Sequence, residues 1–283
     1  MSNIAFLGTG LLGSAFAEAA AKRGDTVAVW NRSPDKANAL TRFGIKAAPT
    51  PSEAVRGKLR VHLILKDDAV VDEIIAAIGT GLSADAILID HTTTQPALTA
   101  ARAKRLAEAG IKYLHCPVFM TPLAARNAQG SMLVAGPAEV FEAVEDDLAN
   151  MTGRLEYQGE RPDLAAAKKL FGNALIVSLS AAMADILTLA QATGVDGLDA
   201  IKLIELLDLN AIVAMRGANM AKGQFIPSFE LAMARKDLRL MLETVGSRPM
   251  AVLPGIAARM DQLIAAGHGA DDSTILAIDA VRR

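Results

Sequence analysis

The sequence predicts an α/β chain, with a doubly wound parallel sheet in its N-terminal half and an all-helical domain after it. Three observations predict this. Short apolar runs alternate with helix-like stretches up to about residue 150, a glycine-punctuated strand-to-helix turn opens the chain, and a helical pattern runs from 163 to 193 with no convincing strand after it. Expected strands cover 3–8, 26–30, 61–65, 86–90, 112–115, 132–135 and 155–157. The first rests on Ile4, Ala5, Phe6 and Leu7, and the second on Val27, Ala28, Val29 and Trp30. Helices are expected over 11–23, 34–43, 68–77, 96–109 and 138–151; Ser33 before Pro34, Asp67 with Asp68, and Pro96 are start signals for three of them. Past Gly159 to Pro162, the best hinge candidate, come helices over 163–193, 197–207, 210–222, 228–246 and 250–266. The domains expected are therefore 1–162 and 163–283.

Gly8, Gly10 and Gly13 stand between the first strand and an alanine-rich helix. In such a turn the first glycine lets the strand reverse sharply, the second lets backbone approach a pyrophosphate, and the third lets helix pack closely on strand. The amides of the first helical turn, at Leu11 and Leu12, and the positive end of the helix dipole then face the phosphates. This is the signature of a Rossmann-type dinucleotide-binding domain. About twenty residues on, where an NAD-binding domain places an acidic residue, the chain reads Asn31-Arg32-Ser33. A carboxylate there would hold a ribose 2′-OH and repel a 2′-phosphate, whereas the Arg32 fork can pair with that phosphate. NADP is the cofactor expected. Ser33 doubles as a helix cap, and a capping serine with its neighbouring amides also faces a phosphate.

Composition sets the outer limits. With 283 residues and 52% hydrophobic content the chain can bury a sizeable core. A net charge of −2 offers no basic surface for nucleic acid. The single cysteine, Cys116, allows no internal disulfide and fits a reducing cytoplasm. Four histidines, His62, His91, His115 and His268, lack ligand spacing, so no metal site is expected. The longest uncharged run, 170–184, is shorter than a bilayer span and contains Gly172, Asn173, Ser178 and Ser180; it reads as a buried helix, with no membrane partner expected. The apolar N-terminus lacks the basic leading region of a signal peptide.

Ligands of open parallel sheets bind beyond the carboxyl ends of the strands. Three such loops carry polar residues. Leu65 and Lys66 end the third strand beside the cofactor, with Lys66 solvated. Asp90 to Pro96 puts Thr92 and Thr93 near the expected nicotinamide end, with helix capping as their alternative role. Cys116 to Pro122 includes Phe119, Met120 and Thr121 and is stiffened by Pro117 and Pro122, so it can line a pocket. On the long helix, Lys169 and Asn173 share a mostly apolar face. A lysine desolvated beside a cleft loses basicity and becomes fit for proton transfer; the ordinary alternative is a snorkelling side chain, which adjacent Lys168 is.

Taken in order, these motifs resemble the β-hydroxyacid dehydrogenase family, which includes 3-hydroxyisobutyrate, tartronate semialdehyde (glyoxylate/succinic semialdehyde reductase) and 6-phosphogluconate dehydrogenases. The resemblance runs almost end to end. It is carried by the glycines, the Asn31-Arg32 pair of NADP-using members, Asp90 with Thr92, Thr93 and Pro96, Lys169 with Asn173, and Lys236-Asp237-Leu238. The resemblance implies that Lys169 is the general acid/base on the substrate oxygen, that Asn173 holds substrate, and that Lys236 lies close to the nicotinamide end of the cofactor. It implies a small β-hydroxy acid or its semialdehyde or keto partner as substrate. A homodimer or a dimer of dimers, burying the helical domain against a second subunit, is the assembly expected.

Two departures qualify the substrate. Members typically carry Pro-Val-Ser-Gly-Gly in the third loop, gripping a carboxylate; here it reads Pro117-Val118-Phe119-Met120-Thr121. Two large side chains block close backbone approach, which leaves Thr121 and Thr93 as carboxylate holders or points to a bulkier, less acidic substrate. The Gly-x-Gly preceding the lysine is also absent, with Asp163, Leu164 and Ala165 in its place. Imine reductases share this architecture and a less polar pocket, and are the alternative reading, although they usually lack the lysine. A catalytically silent NADP-binding sensor is the alternative from another class.

Overall fold

The alternation of apolar residues along the first strand decides the architecture. In the computed structural model, which describes residues 2–281, β1 (Asn3–Leu7) sends Ile4 and Phe6 into one buried cluster and Ala5 and Leu7 into another. Period-two side chains buried on both faces require a sheet covered on both sides. The parallel sheet consists of β1, β2 (Thr26–Trp30), β3 (Lys46–Ala47), β4 (Arg60–Leu63), β5 (Ile87–Asp90) and β6 (Lys112–His115), in the order β3-β2-β1-β4-β5-β6. This is the Rossmann order, whose switch point lies between β1 and β4. A second, three-stranded sheet holds β7 (Val118–Phe119), β8 (Ser131–Val134) and β9 (Arg154–Tyr157), with β7 antiparallel to β8 and β8 parallel to β9. The His115–Ala135 bridge joins the two sheets.

The helices in chain order are α1 (Leu11–Lys22), α2 (Pro34–Asn38), α3 (Pro51–Val55), α4 (Asp68–Ile78), α5 (Pro96–Glu108), α6 (Pro122–Arg126), α7 (Ala138–Glu142), α8 (Glu145–Ala149), α9 (Leu164–Thr193), α10 (Gly197–Lys202), α11 (Leu209–Ala221), α12 (Leu231–Val245), α13 (Leu253–Leu263) and α14 (Ile278–Val281). Contacts divide the chain into two compact units, Met1–Asn173 and Ala174–Arg283. The change of sequence character at 162/163 marks the start of α9, whereas the units divide inside it. Ala165 and Ala166 are buried, and Lys169 and Gly172 meet Phe119 of β7, so the first turns of α9 belong with the sheets.

In the second unit, Leu231, Ala234 and Leu238 of α12 pack with Ala257, Met260 and Leu263 of α13 and with Ile275 and Ile278. Two carboxylates fasten its loops. Asp185 of α9 accepts hydrogen bonds from the backbone N–H groups of Ala251, Val252 and Leu253, and Asp272 accepts from those of Ser228, Phe229 and Thr274. Both carboxyls are held below the usual carboxylate range by these amides.

Several expectations are corrected. The runs at 132–135 and 155–157 do not extend the parallel sheet but form the separate one with β7. The 138–151 helix is two short ones, interrupted where Val144 leaves helical geometry, and the 34–43 helix stops at Asn38 before a 3-10 turn at Thr41–Phe43. The 170–184 stretch is not buried within the chain: Phe171 is 68% and Val177 67% exposed. Apolar composition marks a surface that wants covering without naming what covers it.

Candidate functional site: a glycine cradle and a half-buried lysine

The loops beyond β1, β2, β4 and β5 enclose a cavity of about 650 Å³. Its lining includes Gly8, Gly10, Leu11, Leu12, Asn31, Arg32, Ser33, Leu65, Lys66, Thr92 and Thr93, which brings together every sequence-predicted cofactor residue except Gly13 and Lys236. Gly8 has φ +100°, and a Cβ there would overlap the Ile64 carbonyl oxygen; one on Gly13 would overlap the Gly8 carbonyl oxygen. Gly13 thus acts as the packing glycine beneath the turn. A Cβ on Gly10 would meet nothing within 4 Å, so that glycine faces open space at the start of α1, where no side chain caps the helix and no acidic residue stands in the first turn. Beside it the Thr9 hydroxyl is buried and finds no partner among the described residues. An open glycine, uncapped amides and an orphaned hydroxyl fit a pyrophosphate.

The Asn31-Arg32-Ser33 triplet divides its work. Asn31 Oδ1 accepts the Thr9 amide at 3.0 Å and its Nδ2 donates to the Ser33 carbonyl at 3.1 Å, so Asn31 braces the two cofactor loops against each other. Ser33 sits at the N-cap of α2 without making the capping hydrogen bond, which leaves its hydroxyl free for a ligand. Arg32 is exposed on the cavity wall and forms no ion pair among the described residues. Lys36, in the first turn of α2, adds a cation to the same wall, and nothing in the sequence separates it from a solvated helix lysine. Trp30, Ile64, Val70, Ile74 and Ala77 supply the apolar part of the lining.

At the other loop the threonines separate by role. Thr92 is buried; its Oγ1 accepts the Leu65 amide at 3.0 Å and its own amide donates to Asp90 Oδ1 at 2.9 Å. Thr94 is buried against Thr99 at 2.7 Å, leaving Thr93 as the exposed hydroxyl on the cavity. None of these caps α5, whose N-cap is Gln95. Lys66 is 82% exposed and 3.7 Å from Asp67.

Under this loop lies a buried histidine pair. His91 Nδ1 is 2.7 Å from the Cys116 carbonyl, and a carbonyl only accepts, so Nδ1 carries the proton. His91 Nε2 must then accept from His62 Nδ1 at 2.9 Å, which fixes both tautomers. Burial pushes both rings down, His91 to about 4, and His115 nearby to about 3. Asp90, buried with Tyr113 donating to it at 2.9 Å, is pushed up by the same burial. The three rings are therefore neutral.

Lys169 is half-buried on the first turns of α9, and burial pushes its ammonium below the ordinary lysine range. Its Nζ donates to Asn173 Oδ1 at 2.9 Å and stands 4.1 Å from the centre of the Phe119 ring. Met120 packs partly buried against the sheet core, and Thr121 Oγ1 accepts the Ala124 amide at 3.2 Å as the N-cap of α6. Lys236 belongs to the second unit, on the exposed face of α12, with Nζ 2.6 Å from Asp237.

A family model described as the NAD binding domain of 6-phosphogluconate dehydrogenase matches residues 3–159, and one described as NAD-binding of NADP-dependent 3-hydroxyisobutyrate dehydrogenase matches 165–278. Glyoxylate/succinic semialdehyde reductase 2, chloroplastic, of Arabidopsis thaliana is 27% identical over 280 residues, spanning 98% of this chain and 78% of that protein. Among solved structures, the Streptomyces aurantiacus imine reductase superposes with a TM-score of 0.90 at 23% identity, each chain covered fully. The Aspergillus terreus reductive aminase, in complex with NADPH and ethyl levulinate, superposes at 0.88 with 22% identity, again with each chain covered fully. These structural likenesses are likenesses of fold. The matches over both halves of the sequence, with the glycine cradle at its start, place the chain in the β-hydroxyacid dehydrogenase family of nicotinamide-dependent oxidoreductases.

Proposed function

We propose that this chain is an NADP-dependent oxidoreductase that interconverts a carbinol and its carbonyl partner, the chemistry of small β-hydroxy acids and their semialdehyde or keto forms, with Lys169 as general acid/base. One observation carries the reading: a half-buried lysine of lowered basicity is held by Asn173 at 2.9 Å in a family whose reaction moves a proton at a substrate oxygen. When bound, the nicotinamide supplies or accepts the hydride at C4. Gly10, the amides opening α1 and Thr9 would hold the pyrophosphate, with Arg32, Ser33 and Lys36 on the 2′-phosphate and Thr93 toward the nicotinamide end. In reduction the Lys169 ammonium gives its proton to the substrate oxygen; in oxidation the amine takes it back. Asn173 Oδ1 accepts a hydrogen bond from one N–H of the ammonium, leaving the Asn173 Nδ2 group to donate to the substrate oxygen. Lys236 is assigned to the cofactor side by its place in the family motif, and a homodimer or dimer of dimers is the proposed assembly.

Lys169→Ala should lower turnover by about 10²- to 10⁴-fold while leaving the NADPH dissociation constant within a few-fold, measured by NADPH absorbance and fluorescence titration. Unchanged turnover overturns the role. The second reading, reduction of C=N bonds, is supported by the fold likeness to imine reductases and by the apolar Phe119 beside the lysine. Imine turnover that survives Lys169→Ala favours it. NADPH binding with no turnover of hydroxy acids, semialdehydes or cyclic imines favours a sensor.

A further inference from the structure

The fold places the Phe119 ring directly against the Lys169 ammonium, and the ring is built in rather than draped there. Lys169 and Gly172 share a face of α9, and a Cβ at 172 would overlap the Phe119 ring, so the missing side chain makes the slot that the ring fills. The other end of the residue is fixed by the β7–β8 register, Val118 opposite Met132 and Phe119 opposite Ser131. Gly130, at φ +87°, lets the chain pass close to the Phe119 carbonyl and Met120, where any Cβ would collide. The ring is therefore pinned from strand and helix alike.

Counting donors shows what this leaves for a ligand. An ammonium has three N–H groups. One donates to Asn173 Oδ1 and the ring covers another side, so one direction remains, enough for one oxygen. The rest of the segment adds one side-chain donor: Pro117 and Pro122 have no N–H, and Thr121, whose oxygen accepts the Ala124 amide as the N-cap of α6, keeps its O–H. A carbonyl or hydroxyl oxygen is satisfied by the remaining Lys169 proton and the Asn173 amide. A carboxylate near the reacting carbon, with about four acceptor sites, would have the Thr121 hydroxyl for one of them and would lose hydration against the ring, whose face is electronegative.

We infer that Phe119 is a specificity-determining residue that selects uncharged carbonyl compounds and their alcohols over those carrying a carboxylate within a few carbons of the reacting group. The inference rests on the proposed role of Lys169 and, within the same carbinol–carbonyl reaction, moves the preferred substrate from the free acid to its uncharged relatives. Succinic semialdehyde and its methyl ester differ in that charge and in one methyl group, so the test is the ratio of their kcat/KM values with NADPH, compared between variants. The wild-type chain should favour the ester by about tenfold or more, a margin of about 1.4 kcal/mol. Phe119→Ser should cut that ratio by about tenfold, and Phe119→Leu, which keeps the apolar bulk, should hold it within about threefold. Equal turnover of acid and ester by the wild type, or a ratio unmoved by Phe119→Ser, overturns the inference.

A binding measurement separates this from the oxidoreductase reading. Methyl succinamate and succinamate, whose amide stands in for the aldehyde, titrated into the NADP⁺-loaded protein should show the ester preferred by the wild type and the preference lost in Phe119→Ser. That result without turnover of either aldehyde keeps the selectivity and removes the proposed reaction. Ester and acid binding alike overturns the selectivity whatever the turnover.

Discussion

At the scale of single residues, the three glycines of the opening turn have the same sequence meaning and different physical ones. Gly10→Ala places a methyl group in open space at a φ of −67°, which alanine adopts freely, so the folded state should tolerate it. The methyl would stand where a pyrophosphate must approach. Gly13→Ala instead forces a methyl into the Gly8 carbonyl, an overpacking that costs about 1–3 kcal/mol. Thermal melting of the cofactor-free variants should leave Gly10→Ala near wild type and lower Gly13→Ala by several degrees, while NADPH titration should show a large loss for both. Equal melting temperatures would refute the division of roles. Arg32→Asp should weaken NADP⁺ by about tenfold or more with little change for NAD⁺, because a charge-assisted hydrogen bond is worth about 1.5–3 kcal/mol and the new carboxylate repels a phosphate. Comparable losses for both dinucleotides would argue against a 2′-phosphate at Arg32.

At the scale of elements, legibility followed burial. The parallel strands could be read because burial on both faces demands apolar runs, and α1 and α5 because their starts are punctuated by glycine and by Pro96. The two-residue strands β3 and β7 could not, since Lys46–Ala47 and Val118–Phe119 take their conformation from neighbouring strands rather than from any pattern of their own. The residues that brace the site were hidden for the same reason. Asn31 was legible as a cofactor motif, but its hydrogen bonds to the Thr9 amide of the neighbouring loop and to the Ser33 carbonyl of its own were not, and Lys36 carries no signal outside its cavity.

The histidine pair that ties β4 and β5 to the Cys116 carbonyl has a consequence for pH. Histidines whose folded pKa lies below the unfolded value of about 6.5 bind fewer protons folded than unfolded, so their contribution is complete above about pH 6.5 and is lost on acidification toward about 4. Asp90, raised by burial, acts in the opposite sense once the carboxylate range is reached. Denaturant unfolding between pH 7.5 and 4.5 should show stability falling by on the order of 1 kcal/mol per pH unit for each titrating ring, beginning near pH 6.5. A profile flat to pH 5 would mean that the rings are not neutral and buried together.

At the scale of the whole molecule, the exposed flank of α9 demands an explanation. Phe171 and Val177 are more than 60% exposed, and Leu175 and Ile176 about half. By length and composition alone this helix is apolar enough to cross a membrane. Its middle argues otherwise, because Asp185 is committed to the amides of Ala251 to Leu253, and a span through lipid would have to carry that charge and its docked segment along. A second copy is the occupant proposed, since two such helices can cover each other through one self-complementary patch, as closed dimers do. Light scattering on the eluting protein, without detergent, should therefore give a dimer or a multiple of it. A double change of Phe171→Glu and Val177→Glu should shift the mass to that of one chain while the far-ultraviolet circular dichroism stays the same, because neither residue is buried within the chain. A wild-type protein that elutes as one chain, or that partitions into detergent, would remove the dimer.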